Sequence, residues 1–314
     1  MAQVVCIGGA CIDRKYYVLS EAQPGTSNPA RARRSFGGVA RNVAENLARL
    51  GVSTALLSVV GNDENGLALL DHAQRAGVDV SMVVRDSNHV TPEYGAVVDP
   101  RGDLLIGVAD MDAIDAIGVA DLEKHWDVLS QADWLFVDCN VSGEVLAWCI
   151  RRAGEAGVKL AIDAVSEPKV CRLPDDLAGV DLLVLNEKEA AVYLYEDIET
   201  FRARTPAERV RSVRAHSAAA VILTRGAQGL VAGGDPAVEL PALHARCIDV
   251  TGAGDALIGA TIYRLLEGDD LLQAARLGSL CAGLTVESPA SVRADLSPAL
   301  LRGQEHRLEP CATS

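Results

Sequence analysis

Short apolar runs of strand length recur along the chain and alternate with segments of helical periodicity. The runs are QVVCIGG, ALLSVVG, WLFVDCN, KLAIDAV, DLLVLNE and AAVILTRG. Several are separated by stretches with apolar residues on one helical face, namely ARNVAENLARLG, NGLALLDHAQRAG, SGEVLAWCIRRAGEAG and TPAERVRSVRAHS. This alternation predicts an α/β fold, in which right-handed crossovers build a mainly parallel sheet covered by helices.

Two segments, residues 14–36 and 91–109, interrupt this rhythm with strand-like alternation and no helical stretch. Within the second, EYGAVVDPRGDLLIGVAD predicts a hairpin of two apolar strands around a Pro/Gly turn. We expect the two segments to form one small antiparallel sheet, a lid beside a main domain of residues 1–13, 37–90 and 110–314. A lid next to the carboxyl ends of parallel strands could close over a ligand.

The charge balance disfavours nucleic acid and anionic membranes as partners. The 314 residues contain 29 Lys plus Arg and 43 Asp plus Glu, a formal net charge of −14. The hydrophobic share of 49% allows a large core, and only 4% aromatic residues suit a buried parallel sheet. Eight cysteines without a C-x-x-C pair, and a start without a signal-peptide pattern, favour buried, reduced thiols in a cytoplasmic protein.

Polar residues directly follow many of the apolar runs. Each could be an ordinary turn residue or helix cap. Because ligands of open α/β sheets bind outside the carboxyl ends of the strands, the set as a whole predicts a binding site at one rim of the sheet. Its members are Asp13, Asp138, Asn140, Asp163, Asn186, Thr224 and Asp249.

The stretch DVTGAGDA fits neither common phosphate-binding pattern. A G-x-G-x-x-G fingerprint would need glycine where Leu257 stands, and no Walker A pattern occurs. The apolar stretch that follows predicts a helix with Gly252, Ala253 and Gly254 at its N-terminus, where free N–H groups favour an anion. Asp255 beside them could accept a proton from an attacking hydroxyl, or simply stabilise the helix dipole.

A second glycine-rich stretch, SFGGVARNVAENLARLG, offers groups for a polyol. Gly38 permits close approach of a substrate, and Asn42 on the first helical turn can donate to and accept from a sugar hydroxyl. Asp13 could accept two hydrogen bonds from a vicinal diol. The alternatives are a plain glycine turn and a turn or cap aspartate.

These motifs resemble those of the ribokinase-like, phosphofructokinase-B-type carbohydrate kinases over nearly the whole chain. GGVARNVAENLARLGVSTALLSVVGNDENG is similar to the N-terminal signature of that family and DVTGAGDA to its C-terminal one, while NEKEA and LTRGAQG resemble two segments between them. The resemblance implies a three-layer α/β/α domain with a β-sheet lid, and ATP and Mg²⁺ as co-substrate and cofactor.

The resemblance also implies roles for individual residues. Asp255 is implied as general base, with the N–H groups of Gly252, Ala253 and Gly254 as the anion hole for the transferred phosphoryl group. The remaining assignments are Asp13, Gly38 and Asn42 for the sugar; Thr224, Gly226 and Gly229 for ATP; Asn186 and Glu189 for Mg²⁺, through water, near the phosphates; and Asp249 and Thr251 for a potassium ion that many members bind.

Finer features resemble the branch of the family that phosphorylates pseudouridine at its 5′-hydroxyl. The segments TSNPARARRSFGG, VADMDAID, VDCN and IDAVSEPK carry this likeness and place Asn28, Asp110, Asp138, Asn140, Ser166 and Lys169 near the nucleoside or its lid. Two departures concern the acceptor: Cys11 stands where many relatives have Asn, and Ala164 where related kinases often have Pro.

Other acceptors and other classes of function remain alternatives. Ribose, adenosine or another nucleoside could replace pseudouridine within the same family. An NAD-dependent dehydrogenase is one alternative from another class, but the sequence lacks the G-x-G-x-x-G fingerprint of dinucleotide binding. A catalytically silent nucleoside sensor is another, but it would not need Asp255. Members often pair through the lid, so a homodimer is expected.

Overall fold

A mainly parallel sheet forms the centre of the molecule. The computed structural model describes residues 2–233 and 237–308, and in this part of the chain eight strands form the large sheet in the order β14-β13-β12-β11-β10-β9-β1-β4. They are β1 (Val4–Ile7), β4 (Thr54–Leu57), β9 (Trp134–Asp138), β10 (Lys159–Asp163), β11 (Leu182–Asn186), β12 (Ala220–Thr224), β13 (Leu230–Gly233) and β14 (Ala237–Leu240). All neighbours pair in parallel except β13, which is antiparallel to both β12 and β14.

Helices cover both faces of this sheet, so the predicted three-layer α/β/α fold is confirmed. The helices are α1 (Val39–Arg49), α2 (Glu64–Arg75), α3 (Val119–Lys124), α4 (Trp126–Leu129), α5 (Gly143–Ala156), α6 (Glu167–Val170), α7 (Glu187–Tyr193), α8 (Ile198–Ala203), α9 (Pro206–Arg214), α10 (Ala253–Leu266), α11 (Leu271–Val286) and α12 (Pro298–Gln304). Short 3₁₀ turns lie at Asp112–Ala116, Gly226–Gln228 and Glu305–Leu308.

The alternation of side chains along β1 shows how the two cores are divided. Val5 and Ile7 pack with buried residues of α5, α7 and α9, whereas Val4 and Cys6 pack with buried residues of α1, α2, α10 and α11. Because successive residues of a strand point to opposite faces, a strand buried on both sides must be apolar throughout. This is why the parallel strands of the large sheet appear in the sequence as continuous apolar runs.

A separate four-stranded sheet projects beside the large one. Its order is β3-β2-β7-β8, with β2 (Cys11–Val18), β3 (Ala30–Gly37), β7 (Glu93–Val98) and β8 (Leu104–Asp110). The predicted hairpin is confirmed as β7 and β8, which pair antiparallel. A further pair, β5 (Val59–Gly61) and β6 (Val84–Asp86), is parallel.

The expectation that the small sheet is purely antiparallel is wrong. β2 pairs in parallel with β7, so the sheet is mixed. The physical reason lies in how the chain enters it: β2 and β7 are each the first strand of a hairpin that leaves the main body. Both therefore run outward in the same direction, and only their return strands are antiparallel to them.

The described cysteines follow the expectation of buried thiols with two exceptions. Cys6, Cys11, Cys139, Cys149 and Cys281 are buried free thiols; Cys171 and Cys247, however, are exposed, and Cys311 lies outside the described residues. Cys171 follows the short helix α6 and Cys247 lies in the coil before α10, so neither belongs to a buried strand or helix face. Among the residues that the structure describes, no helix is long and apolar enough to cross a membrane.

Candidate active site

Four of the polar residues predicted at the rim do end adjacent parallel strands. Asp138 ends β9 and is in register with Asp163 at the end of β10; Asn186 ends β11 and is in register with Thr224 at the end of β12. The carboxyl ends of parallel strands thus form a polar rim, as predicted.

Asp13 and Asp249 reach the same region by other routes. Asp13 is the third residue of β2 in the small sheet and not the end of β1. Asp249 lies in coil ahead of α10, because the apolar residues that precede it do not form a strand. Their placement at strand ends of the large sheet was therefore wrong, although Asp13 lies close enough to Asp255 to help raise its pKa, and the Asp249 carboxylate likewise acts on Asp13.

Asp255 is a buried carboxylate in the first turn of α10. Its side chain accepts a hydrogen bond of 2.6 Å from Asn42 Nδ2, so α1 and α10 meet at the predicted base. Burial raises its pKa to about 7; Asn42 and Arg41 oppose the shift, and the carboxylates of Asp138 and Asp13 add to it. A carboxylate with a pKa near 7 is suited to take a proton at neutral pH.

The orientation of Asn42 is set by a buried arginine that the sequence analysis did not identify. The Arg41 guanidinium donates to Asn42 Oδ1, which leaves Asn42 Nδ2 to face Asp255. Arg41 is only 1% exposed and is also bound by the Glu45 carboxylate and by the carbonyl of Phe36 at 2.7 Å. The i,i+4 spacing of Arg41 and Glu45 was the available sequence signal.

Glu45 is itself held ionised by several donors. Burial acts to raise its pKa, but His72, Arg41 and Arg49 outweigh it and the pKa lies at about 2. His72 contacts Glu45 through Nε2 at 3.2 Å and stacks on Phe36. A buried arginine is acceptable only when a charge of this kind compensates it, so the pair fixes the start of α1.

The turn before α10 has a conformation that requires glycine. Gly252 is the N-cap with φ 82°, and a Cβ there would overlap the backbone of Ser291. Gly254 faces open space, and the Ala253 N–H makes only a long contact of 3.3 Å to the carbonyl of Val250. The turn therefore presents backbone donors and the positive end of a 14-residue helix toward the space beside Asp255.

On the other side of Asp255, Gly37 and Gly38 pack against β2, the strand that carries Asp13, and the residues just before it. A Cβ on Gly37 would overlap the Asp13 carboxylate, and one on Gly38, where φ is 93°, would overlap the backbone of Gly9 and Ala10. Asp13 is 7% exposed, and burial raises its pKa, opposed by Cys11 and Arg41. Glycine is thus needed at both positions for packing alone.

Asp138 is engaged by the backbone around it. Its carboxylate accepts hydrogen bonds from the N–H groups of Gly9 at 2.9 Å, Ala40 at 2.8 Å and Asn140 at 2.9 Å. It is fully buried, and burial raises its pKa against these donors. Asp138 therefore ties the end of β1, the start of α1 and its own strand end together beneath the site.

Asn140 and Lys169, predicted near the nucleoside, are in contact. The Lys169 ammonium donates to Asn140 Oδ1, and Arg172 donates to the Asn140 carbonyl at 2.5 Å. Burial lowers the pKa of Lys169. Asn140 and Lys169 lie next to Asp138, because Asn140 packs on Gly9, whose N–H donates to the Asp138 carboxylate.

Two other residues predicted near the nucleoside lie apart from this cluster. Asn28 is in the loop between β2 and β3, where its amide bonds to the backbone of Gln23 and Thr26. Asp110, at the end of β8, shares a 900 Å³ cavity with Arg14 and Tyr16 between the small sheet and the start of α2.

The predicted ATP residues line one cavity of 380 Å³ next to the turn before α10. Thr224, Gly226 and Gly229 lie on its wall together with Ala253 and Gly254. The remainder is largely apolar and was not identified from the sequence, because these residues carry no motif; it includes Ala242, Leu243, Cys247, Leu257, Ala282 and Val286. An apolar slot that ends at a helix N-terminus suits a planar base with a phosphate chain.

Asn186 and Glu189 form a reciprocal cap at the start of α7. The Asn186 side chain accepts from the Glu189 N–H at 3.0 Å, and Glu189 accepts from the Asn186 N–H at 2.7 Å and from Asn186 Nδ2 at 2.6 Å. Burial raises the pKa of Glu189. Within residues 2–233 and 237–308, no group of three or more His, Cys, Asp or Glu side chains is arranged to hold a metal ion. Glu189 nevertheless fits an ion that takes its other ligands from phosphate and water.

The pair Asp249 and Thr251 is occupied by a lysine. Lys15 Nζ lies 2.5 Å from Asp249 Oδ2 and 2.8 Å from Thr251 Oγ1. Burial acts to raise the pKa of Asp249, but the hydrogen bonds from Lys15 and Thr251 outweigh it and lower the pKa. These side chains do not fit a potassium ion as they stand, because their oxygens already bind an ammonium group.

The chain is similar to known carbohydrate kinases in sequence and in fold. The model of the pfkB family of carbohydrate kinases matches residues 1–296. The chain is 31% identical to pseudouridine kinase of Escherichia coli over 94% of this chain and 93% of that one, and 25% identical to pseudouridine kinase of Arabidopsis thaliana over 95% and 94%. The fold is similar to that of Arabidopsis thaliana ribokinase complexed with ribose and ATP, with a TM-score of 0.82, 19% identity and 99% of each chain covered. The chain therefore belongs to the pfkB family of carbohydrate kinases.

Proposed function

We propose that this kinase transfers the γ-phosphoryl group of ATP to the 5′-hydroxyl of pseudouridine. Membership of the family makes it a phosphotransferase with an alcohol acceptor. The observation that carries the reaction type is the buried Asp255 beside the N-terminus of α10. The similarity to pseudouridine kinases of two distant organisms supports the choice of acceptor.

In this proposal Asp255 removes the proton of the acceptor hydroxyl as the hydroxyl oxygen attacks the γ-phosphorus. The pKa of about 7 leaves a large share of Asp255 ionised at neutral pH. Backbone donors at Gly252, Ala253 and Gly254 receive the charge that develops on the phosphoryl oxygens. Most of the acceleration then comes from positioning and charge stabilisation, since phosphoryl transfer needs little covalent help from the protein.

The acceptor would be held at the rim between the small sheet and α1. Asp13 offers two carboxylate oxygens to the 2′,3′-diol, and Asn42 donates a hydrogen bond to Asp255. Asn140 and Lys169 form a polar pair near Gly9 that suits the imide face of uracil, which presents both carbonyl oxygens and N–H groups. Closure of the small sheet would exclude water and limit hydrolysis of ATP.

ATP would lie with its base in the 380 Å³ cavity and its phosphates at the turn before α10. A bound Mg²⁺ ion would supply positive charge to offset that of the phosphates. Glu189 would hold it through water, with Asn186 orienting the Glu189 carboxylate. The acidic surroundings of the site suit a metal-bound triphosphate better than a free one.

The alternative is another acceptor of the same family, such as ribose, adenosine or another nucleoside. The observation that supports this alternative is Cys11, whose thiol lies 3.6 Å from Asp13 Oδ1. A cysteine there offers a weaker hydrogen-bond partner than the asparagine of many relatives, so the acceptor contact at this point differs.

A panel of acceptors with ATP and Mg²⁺ tests the proposal. Pseudouridine, uridine, adenosine and ribose are compared by kcat/KM, and products are identified by mass and by the site of phosphorylation. We expect pseudouridine 5′-phosphate to form with a kcat/KM at least about tenfold above the others, a margin of about 1.4 kcal/mol. Turnover of ribose that equals or exceeds that of pseudouridine would overturn the choice of acceptor but not the reaction type.

We also propose that the small sheet pairs with that of a second copy through β8. All residues of β8 are exposed, and Leu104, Leu105, Ile106 and Val108 are between 47% and 61% exposed. The strand is uncharged from Leu104 to Ala109, whereas the opposite edge, β3, carries three arginines. Two β8 edges can pair antiparallel around a two-fold axis, which would remove an apolar edge from water.

A further inference from the structure

The Lys15 ammonium occupies a position that links the two halves of the site. Lys15 lies on β2, two residues after Asp13 and on the same face of the small sheet. Its Nζ contacts Asp249 Oδ2 at 2.5 Å and Thr251 Oγ1 at 2.8 Å, across 234 and 236 residues of sequence. We infer that Lys15 is a built-in cation of this site: it positions the turn before α10 for phosphoryl transfer and makes the reaction independent of potassium.

The contacts of Asp249 leave little room for a second cation. Asp249 Oδ1 accepts hydrogen bonds from the Thr251 N–H at 2.9 Å and from Thr251 Oγ1 at 2.7 Å, while Oδ2 accepts from Lys15. Thr251 Oγ1 thus donates to Asp249 and accepts from Lys15 at once. A potassium ion that used these oxygens would have to displace a covalently tethered ammonium group, whose effective concentration is fixed by the strand that carries it.

The ion pair lies in partly buried surroundings, where it is screened less than a surface pair. The side chains of Lys15 and Asp249 are 16% and 18% exposed. An exposed pair contributes little, but a pair at this depth with a bridging hydroxyl restricts the geometry of the groups that it joins. Ammonium is a compact point charge, so it can replace a monovalent metal ion without a change of charge.

The pair acts next to the donors that receive the phosphoryl charge. Thr251 directly precedes Gly252, whose φ of 82° directs the following N–H groups. Fixing Asp249 and Thr251 therefore fixes the entry into α10. Because Lys15 shares β2 with Asp13, the same contact joins the acceptor-binding strand to the phosphoryl-binding turn. Lys15 is a positioning residue in this account.

The inference rests on phosphoryl transfer as the reaction and not on the identity of the acceptor. The test compares the wild-type protein with Lys15→Met and Lys15→Arg in KCl, NaCl and tetramethylammonium chloride at equal ionic strength. Arg14→Met is the matched control, since Arg14 lies on the opposite face of β2 in a half-exposed pair with Glu93. The readouts are kcat with the preferred acceptor and the melting temperature, which needs no turnover.

We expect the wild-type protein and Arg14→Met to give the same kcat within about twofold, and the same melting temperature, in all three salts. Lys15→Met should lose kcat about tenfold to hundredfold in tetramethylammonium chloride, because the turn is no longer held. Replacing tetramethylammonium by potassium should raise the kcat of Lys15→Met by about fivefold or more. It should also raise the melting temperature of this variant alone. Lys15→Arg keeps the charge and should be active without responding to potassium.

Two results would overturn the inference. One is a wild-type protein that potassium activates by about tenfold or more and also stabilises, since this shows a vacant cation site. The other is a Lys15→Met variant with wild-type kcat in tetramethylammonium chloride. If the wild-type protein phosphorylated no acceptor at all, the proposed function would fall, whereas the melting temperatures would still decide between Lys15 and potassium.

Discussion

At the scale of single residues, the site depends on one carboxylate placed where a charge is costly. Asp255 is 9% exposed and lies near the carboxylates of Asp138 and Asp13. Burial, together with these two negative charges, raises its pKa to about 7. Natural proteins accept such strain at functional sites, where it sets the reactivity of a group. Replacing this residue should therefore separate catalysis from stability.

We expect Asp255→Asn to lower kcat about 10²- to 10⁴-fold while ATP and the acceptor still bind, because the variant removes the base and keeps the cavity. The same change should stabilise the protein at pH 8. The native pKa lies above the unfolded value, so stability falls as the pH rises from about 4 to about 7, and the full cost of ionisation is present above pH 7. The neutral amide avoids about 1–3 kcal/mol of that cost. Urea unfolding at pH 5 and pH 8 measures this, and the gain should shrink at pH 5. A normal kcat would refute the role of Asp255.

The pH dependence follows from the same carboxylate. Because Asp255 must be ionised to accept a proton, kcat/KM should rise as the pH increases through about 7 and then level off. The residual activity of Asp255→Asn should lack this ascending limb, which makes the variant its own control. A limb centred near pH 4 in the wild-type protein would show that Asp255 has an ordinary pKa and would contradict the geometry.

At the scale of elements, the turn before α10 determines whether backbone donors face the site. Gly252→Ala would place a methyl group against the backbone of Ser291 at a φ of 82°, so the turn must shift. We expect a loss of about 1–3 kcal/mol in the free energy of unfolding and a fall in kcat of about tenfold or more. Gly154→Ala in α5 is the control, because a Cβ there meets open space and should stabilise the helix slightly. Equal stability and kcat in both variants would contradict this view.

The elements also show how far sequence patterns reach. The six parallel strands of the large sheet were predictable because burial on both faces requires continuous apolar runs, whereas β13 and β14 were not among the predicted runs. Helix α1 was predictable because its apolar face ends at Gly51. The parallel pairing of β2 with β7 was not predictable from the sequence. Pairing between two hairpins depends on where each hairpin leaves the main body and not on the alternation of residues within each hairpin. Asp13 was assigned to the end of β1 because the sequence pattern did not separate β1, which ends at Ile7, from β2, which begins at Cys11.

At the scale of the whole molecule, the exposed apolar edge at β8 predicts the oligomeric state. Ile106→Lys places a charge at the middle of that edge and should convert a dimer into a monomer in sedimentation or light-scattering experiments. Leu67→Lys is a suitable control, because Leu67 is a 52% exposed apolar residue on α2, outside the small sheet. A wild-type protein that is monomeric at micromolar concentration would contradict the proposal.

The sequence by itself determined the α/β class, the glycine turn before α10, the aspartate that follows it and the family resemblance. These are local properties, because strand burial, helix N-termini and short motifs are each encoded within a few consecutive residues. Only the tertiary structure showed that Arg41 orients Asn42 toward Asp255, that Asp138 binds backbone N–H groups, and that Lys15 occupies Asp249 and Thr251. Except for Arg41 with Asn42, these contacts join residues far apart in the chain, and their partners are set by how sheets and helices pack rather than by any pattern along the sequence.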